Sequence, residues 1–545
     1  MNSVLLIVLD GFGIAPEGPT NPVKLSSLPT ISSLFHSYPN TTLKASGEAV
    51  GLPAGEVGNT EVGHINLGAG RIVYQDLPRI NMSIADGTFY KNPEFLKAVE
   101  HVKKTSGTLH LLGLAGEGSV HSSLNHLFAL LFFANENGIK DVAIHIITDG
   151  RDSPPKSALG VVSRIEEKIH QLGIGRIASV MGRYFAMDRD LRWERTEKAY
   201  RCLIHGSETF YPTAEAAIAQ SYANGKTDEF VEPVNIIQQG KAATLIKEGD
   251  AVIFYNFRID RPRQLSKAFA LDDFENQANS TVSFDPYAVK YHKTHLQKEQ
   301  IITPPFARGP KIKSLVFVTM TEYEKGLPVE RAFPPIEVSM PLGRVISERS
   351  LAQLRVSESE KERFIGFYFN GQREASYPYE DRLIIPSPKV STYDLAPEMS
   401  ASEMTKILIE KLQSELYHFT LINFANADMV GHTGNFEACQ KALQTLDGCL
   451  ARIIQVAGDT HCTVIITADH GNIEQKINPQ TGQPSTEHTS NPVPFVAVAP
   501  HLMGKIAKLQ TGILADIAPT ILKLLDISKP EDMTGRNLLE EIVRE

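Results

Sequence analysis

Val4-Leu5-Leu6-Ile7-Val8-Leu9-Asp10-Gly11-Phe12-Gly13 is a run of six apolar residues that breaks on an acid and a glycine-rich turn. A short aliphatic run closed in this way reads as a buried strand. The pattern recurs at 109–112, 142–147, 251–257, 315–320, 421–424 and 463–467. Several of these runs open onto polar clusters: Asp149-Gly150-Arg151-Asp152, Arg258-Ile259-Asp260-Arg261 and Ala468-Asp469-His470-Gly471. Segments of helical period lie between them. In 436–456, Cys439, Leu443, Leu446, Leu450, Ile453 and Ile454 share one face, and the pattern stops before Gly458. Strands alternating with helices predict an α/β fold with largely parallel sheets. Such sheets gather their sites at the carboxyl ends of the strands, where these polar clusters fall.

The chain has 545 residues, enough for about two to four domains at ~150 residues each. Composition shifts mark two candidate boundaries, one at 74–79 and one at Phe333-Pro334-Pro335-Ile336. The stretch 276–313 is polar, proline-rich and aperiodic, and reads as an irregular surface excursion. Hydrophobic residues make up 42% and charged ones 21%, a globular composition. The net charge of −9 argues against nucleic acid or an anionic membrane as partner. Four cysteines without a CxxC pair exclude a disulfide framework and a structural zinc site. The start lacks the basic region of a signal peptide, and no apolar run, 127–134 included, reaches the ~20 residues of a membrane span. A soluble cytoplasmic protein is the expectation.

Six side chains in these turns carry metal-ligand chemistry. Asp10 follows the first run, Asp428 and His432 lie in Asn426-Ala427-Asp428-Met429-Val430-Gly431-His432-Thr433-Gly434, Asp469 and His470 follow 463–467, and His488 lies in Glu487-His488-Thr489. Carboxylates mixed with imidazoles suit Mn²⁺, Zn²⁺ or iron, whereas all-oxygen sets suit Mg²⁺. A spacing of four lets Asp428 and His432 meet within one turn. Any one of these reads alone as a cap or turn residue; the six together favour ligands. A second element is Gly58-Asn59-Thr60-Glu61-Val62-Gly63-His64-Ile65-Asn66-Leu67-Gly68-Ala69-Gly70. A hydroxyl where a loop enters a helix suits phosphate binding, and near a metal it can act as a nucleophile. Thr60 followed by Glu61 is equally a helix N-cap, and on position alone the two readings stand level.

The third element is a group of anion receptors: His121, Arg151, Asp152, Arg183, Arg189, Arg258 and Arg261. Guanidinium forks bind carboxylate and phosphate bidentately. The competing reading is surface ion pairing to Asp188, Asp190 or Glu194, which is stronger for Arg192 and Arg195.

Taken in order, the motifs at 9–13, 58–64, 149–154, 182–189, 256–261, 428–434 and 467–472 resemble the cofactor-independent phosphoglycerate mutases of the alkaline-phosphatase superfamily. The resemblance runs from Val4 to about Gly535. It implies a two-domain α/β fold, with an alkaline-phosphatase-like metal domain over 1–74 and 336–545 and an inserted α/β transferase domain over 75–335. It implies one divalent cation on Asp428, His432 and His488 and a second on Asp10, Thr60, Asp469 and His470, with Mn²⁺ the expected ion. Substrate contacts carry over to His121, Arg151, Asp152, Arg183, Arg189, Arg258, Arg261 and Lys361, with Asp152 as acid/base. The implied activity is the glycolytic and gluconeogenic interconversion of 3- and 2-phosphoglycerate by a monomer, without bisphosphoglycerate. One departure stands out: the family's nucleophile is a serine, and this chain has Thr60. A different metal-dependent phosphatase or phosphomutase of the superfamily, and an inactivated binding homologue, are the competing functions.

Overall fold

The computed structural model describes residues 3–237, 243–280, 303–478, 481–505, 509–540 and 542. Two compact units emerge, one made of residues 1–78 and 336–545 and the other of 79–335. Gln75 N–H still donates to Gly51 O at 2.8 Å, which ties the chain just past Tyr74 to the first unit.

The first unit is built on an eight-stranded sheet in the order Glu380–Ile385, Gln353–Glu358, Phe419–Phe424, Ser3–Leu9, Cys462–Thr467, Val493–Val498, Asn40–Lys44, Gly512–Ile513. The first five strands are parallel. Val493–Val498 runs against both of its neighbours. Val4 through Leu9 are all buried, as expected of a central parallel strand covered on both faces. Register aligns Leu9 with Phe424 and Val8 with Thr467. The residues that follow these three strands therefore emerge side by side at one sheet edge.

The helix read at 436–456 spans Phe436–Asp459, and Asn435 caps it by accepting from Ala438 N. Cys439, Leu443, Leu446, Leu450 and Ile453 are fully or almost fully buried, while Ile454 is half-buried. The helix continues through Gly458 because a helical glycine costs only about 1 kcal/mol, and buried Ala457 packs in the same turn.

The second unit holds a sheet in the order Glu330–Phe333, Val316–Thr321, Ala251–Phe254, Leu109–Ala115, Val142–Thr148, Arg176–Gly182, Val234–Ile236, Phe210–Tyr211. All its pairings are parallel except that of Val234–Ile236 with Arg176–Gly182. The strand expected over 251–257 stops at Phe254, because Phe257 N–H leaves the ladder to bond His121 O at 2.9 Å. The described parts of 276–313 are not a loose excursion. Phe306 packs against Phe274 and Tyr200, with ring centroids 4.9 and 5.5 Å away. Arg308 is buried and donates to the carbonyls of Ala268, Leu271 and Asp272. Residues 281–302 lie outside the described residues. No helix among the described residues is long and apolar enough to cross a membrane.

A polar chain crosses the second sheet beneath its apolar surface. His110 Nε2 meets Asp250 Oδ2 at 3.1 Å, His110 Nδ1 meets His145 Nε2 at 2.9 Å, and His145 Nδ1 meets Ser179 Oγ at 2.8 Å. All four residues are fully buried. Burial pushes both imidazoles below the usual histidine range, with Asp250 partly opposing this at His110. A histidine with a depressed folded pKa contributes stability that is complete above its unfolded pKa, about 6.5, and is lost as pH falls. His145→Phe strands the Nδ1 of His110 and the hydroxyl of Ser179, so we expect a loss of about 2–5 kcal/mol in urea unfolding at pH 7.5. The loss should shrink as pH drops from about 7 to 5. A pH-independent loss would show that the chain is not neutral in the fold.

Candidate active site

Three carboxylates meet where the central strands of the first unit end. Asp10 follows Ser3–Leu9, Asp428 lies in the helix Asn426–Gly431 just after Phe419–Phe424, and Asp469 follows Cys462–Thr467. All are buried. Gly11 makes the approach possible: its φ is +75°, and a Cβ there would lie 2.7 Å from the Asp428 Cα. Lys361, which follows Gln353–Glu358, sets its ammonium among them, 2.8 Å from Asp10 Oδ1 and 2.7 Å from Asp428 Oδ2. Burial opposes the charge, but Asp10, Asp428 and Asp469 outweigh it and raise the ammonium's pKa. Lys361 thus sits with the acidic cluster of the first unit.

Thr60 is the first residue of the helix Thr60–Ala69, and the cap is Asn59, which accepts from Val62 N at 3.0 Å. The N-cap reading of Thr60 therefore fails, and its hydroxyl is released for other work. It lies 3.0 Å from His470 Nε2, 3.1 Å from Lys361 Nζ and 3.4 Å from Asp10 Oδ1.

The imidazoles are aimed by the backbone. His432 Nδ1 lies 2.8 Å from Thr486 O, His488 Nδ1 is 2.8 Å from Gly58 O, and His470 Nδ1 is 3.2 Å from Gly471 O. A carbonyl at Nδ1 holds a proton there and leaves Nε2 as the nitrogen that would meet a metal, the usual arrangement behind a metal-ligating histidine. Each Nε2 points inward. Those of His432 and His488 lie 3.2 Å from Asp428 Oδ1, and that of His470 is 3.5 Å from Asp10 Oδ1 and 3.6 Å from Asp469 Oδ2. Ligand atoms of Asp428, His470 and His488, and of Asp10, Asp469 and His470, each converge within 4.8 Å. Among the described residues the buried Asp469 Oδ2 has no hydrogen-bond donor of good geometry. Three carboxylates against one lysine push His470 up to about 10, Asp469 foremost and burial opposing. The donor set and its excess negative charge fit divalent cations.

Several residues that the sequence did not single out support this cluster. His64 Nδ1 lies 3.2 Å from Asp469 Oδ2 and 2.9 Å from Thr60 O, and its Nε2 is 3.0 Å from Asn423 Nδ2. Asn423 donates in turn to Asp10 Oδ2 at 2.8 Å. Glu474, fully buried, accepts from Gly13 N at 3.1 Å, Asn472 N at 2.8 Å and Asn491 Nδ2 at 2.9 Å, and so ties three site loops together.

The second unit carries the receptor group. Buried Arg183 bridges Asp149 and Asp152, 2.5 Å from each. Asp260 receives Arg189 at 2.7 Å and Arg258 at 3.3 Å, and its Oδ1 is 3.6 Å from His121 Nδ1. His121 Nε2 is 3.6 Å from Asp152 Oδ2. Burial drives His121 down to about 4, against the pull of Asp260, so the ring is neutral at pH 7. Arg261 donates to Met187 O at 3.2 Å, and burial with Arg183 and Arg189 nearby lowers it to about 10. Burial raises Asp152, but Arg183 outweighs it and holds the carboxyl below its usual range. Arg151 is half-exposed and pairs with Glu229 at 2.6 Å. The receptor arginines thus take Asp149, Asp152, Asp260 and Glu229 as partners. Asp188 instead pairs with Arg195 at 3.3 Å.

Carboxylates and imidazoles gathered at the carboxyl edge of a parallel sheet, beside a buried hydroxyl on a helix start, define a phosphatase-like α/β protein with an inserted unit. Residues 355–481 match the family model described as type I phosphodiesterase / nucleotide pyrophosphatase, and residues 80–325 match that of the BPG-independent PGAM N-terminus. The chain belongs to the 2,3-bisphosphoglycerate-independent phosphoglycerate mutases, which are isomerases. It is 47% identical over 541 residues to the protein of that name from Chloroflexus aggregans, with 98% of each chain covered. It is 46% identical over 536 residues to that of Moorella thermoacetica, again with 98% of each covered. Among solved structures it resembles a phosphoglycerate mutase of Leishmania mexicana crystallised at low cobalt concentration, at 28% identity and a TM-score of 0.56, covering 98% of this chain and 97% of the other.

Because Asn59 holds the helix start, Asn59→Ala should cost about 0.5–2 kcal/mol in chemical denaturation. An unchanged midpoint would reopen the question of which side chain caps the helix.

Proposed function

We propose that this chain interconverts 3-phosphoglycerate and 2-phosphoglycerate through a phosphothreonine at Thr60, with two divalent cations and no bisphosphoglycerate primer. The observation that carries the reading is the Thr60 hydroxyl, free of capping duty and 3.0 Å from His470 Nε2 and 3.1 Å from Lys361 Nζ. Mn²⁺ suits a donor set of three carboxylates and three imidazoles. One cation falls to Asp428, His432 and His488, and the other to Asp10, Thr60, Asp469 and His470. When bound, the cations lower the hydroxyl's pKa and screen the charge of the phosphoryl oxygens.

The chain's own residues do the rest. Thr60 Oγ1 attacks phosphorus; the Oγ1–P bond forms as the P–O bond to glycerate breaks, and the hydroxyl proton ends on the released glycerate oxygen. The second transfer reverses these events at the other glycerate hydroxyl, so no proton or phosphoryl group is gained or lost. Lys361 adds fixed positive charge beside Thr60. His121, Arg151, Arg183, Arg189, Arg258 and Arg261 hold the carboxylate and phosphate of the small-molecule substrate, since guanidinium forks match both anions. Asp152, held ionised by Arg183, serves the glycerate hydroxyls as base and, once protonated, as acid. Bisphosphoglycerate has no part, because the phosphoryl group comes from the substrate itself. The reading is of a monomeric cytoplasmic enzyme, and the net charge of −9 fits the expectation of no nucleic-acid or membrane partner.

Threonine differs from serine by a methyl group that restricts χ1 and leaves the hydroxyl chemistry intact. In a coupled assay without added 2,3-bisphosphoglycerate, the wild type should form 2-phosphoglycerate and release little free phosphate. Thr60→Ser should match or exceed it, and Thr60→Ala should be inactive. Release of phosphate in place of 2-phosphoglycerate would make the protein a phosphatase. An inactive wild type rescued by Thr60→Ser would make it an inactivated homologue.

Arg258→Ala and Arg261→Ala should each lower kcat/KM by roughly ten- to several-hundred-fold, the loss of one bidentate anion contact. Thermal unfolding should stay close to that of the wild type. Near-normal kinetics in either variant would return that arginine to a surface ion-pair role.

A further inference from the structure

Lys476 has no solvent exposure, and among the described residues its ammonium forms no ion pair with a carboxylate. It donates instead to two neutral acceptors, Gly431 O at 3.1 Å and Asn472 Oδ1. A buried cation paired in this way is costly, and its acceptors show what it does. An ammonium can only donate, so it dictates which end of the Asn472 amide faces it. Oδ1 turns to Lys476. Nδ2 therefore turns the other way, onto Asp428 Oδ1 at 2.8 Å and the Asp428 carbonyl at 3.3 Å. Without the cation the amide is oriented from the Asp428 side alone, and its oxygen loses the donor that holds it in place.

The surroundings are shaped for this relay. A Cβ on Gly431 would lie 2.7 Å from Asn472 Oδ1, so glycine leaves the amide room. Asn472 N donates to Glu474 Oε2 at 2.8 Å, Lys476 N to Thr20 O at 3.0 Å, and Ser485 N to Lys476 O at 2.9 Å. Both ends of the relay are thus pinned through the backbone.

We propose that Lys476 is a positioning residue for the cation site: by fixing the Asn472 amide it fixes the Asp428 carboxylate, and so sets divalent-cation affinity without touching cation or substrate. This rests on the reading of Asp428 as a cation ligand. Partners that orient a ligating group in this way are typically worth ten- to a hundred-fold in metal affinity.

The test is a titration of the chelator-stripped full chain with Mn²⁺, with free Mn²⁺ followed by electron paramagnetic resonance. Lys476→Met and Asn472→Ala should each weaken binding by about ten- to a hundred-fold. The double variant should be no worse than the weaker single one, and Lys476→Arg, also a donor-only cation, should recover most of the affinity. Thermal unfolding in chelator runs alongside, since a merely structural role would lower the metal-free Tm and leave Mn²⁺ affinity unmoved. That pattern, or losses that add in the double variant, would overturn the proposal. Should Lys476→Met fail to fold, unchanged affinity in Asn472→Ala would overturn it equally. Asp428→Asn separates the two readings. If it binds Mn²⁺ as the wild type does, the ligand assignment falls and the relay with it. If it loses a cation while Lys476→Met and Asn472→Ala lose nothing, only the relay falls.

Discussion

Like charges do not gather in a buried place unless something compensates them, and the phosphatase-like unit gathers three. Asp10, Asp428 and Asp469 are brought together by strand register and by the close approach that Gly11 permits, and among the described residues the one lysine paired with them is Lys361. Desolvation of three carboxylates against one ammonium leaves an uncompensated negative charge. Much of the surrounding design answers that charge. Three imidazoles turn their Nε2 inward, Asn423 and Asn472 donate to carboxylate oxygens, and His64 approaches Asp469. The Thr60 hydroxyl, at the first turn of a helix, stands inside the same field.

The inserted unit solves the reverse problem. It gathers guanidinium groups, and carboxylates space them. Asp260 holds Arg189 and Arg258 apart, and Asp149 with Asp152 fixes Arg183. The neutral His121 lies between Asp152 and Asp260. A receptor held in this way loses little side-chain entropy when an anion arrives.

Much of this was legible in the sequence because strand and turn were adjacent in the chain. All seven apolar runs read as strands are strands, and the acids and imidazoles of the turns that follow meet in space. The supporting residues were not legible for a physical reason. His64, Asn423, Glu474 and Lys476 earn their roles from partners hundreds of residues away or across a loop, and taken alone each reads as an ordinary polar residue. The contacts of Lys361 with Asp10 and Asp428 were equally hidden, because its sequence neighbours, Ser359 and Glu360, give no sign of which carboxylates its ammonium will meet. The Thr60 ambiguity could be settled only by geometry, since Asn59 and Thr60 are both competent caps.

The central claim is that the buried acid–imidazole cluster is a two-cation site, and metal stoichiometry tests it most directly. After chelator stripping and dialysis against Mn²⁺, elemental analysis should find two ions per chain. Asp428→Ala and Asp10→Ala should each bind fewer. Zero or one ion in the wild type, or two retained in both variants, would contradict the account.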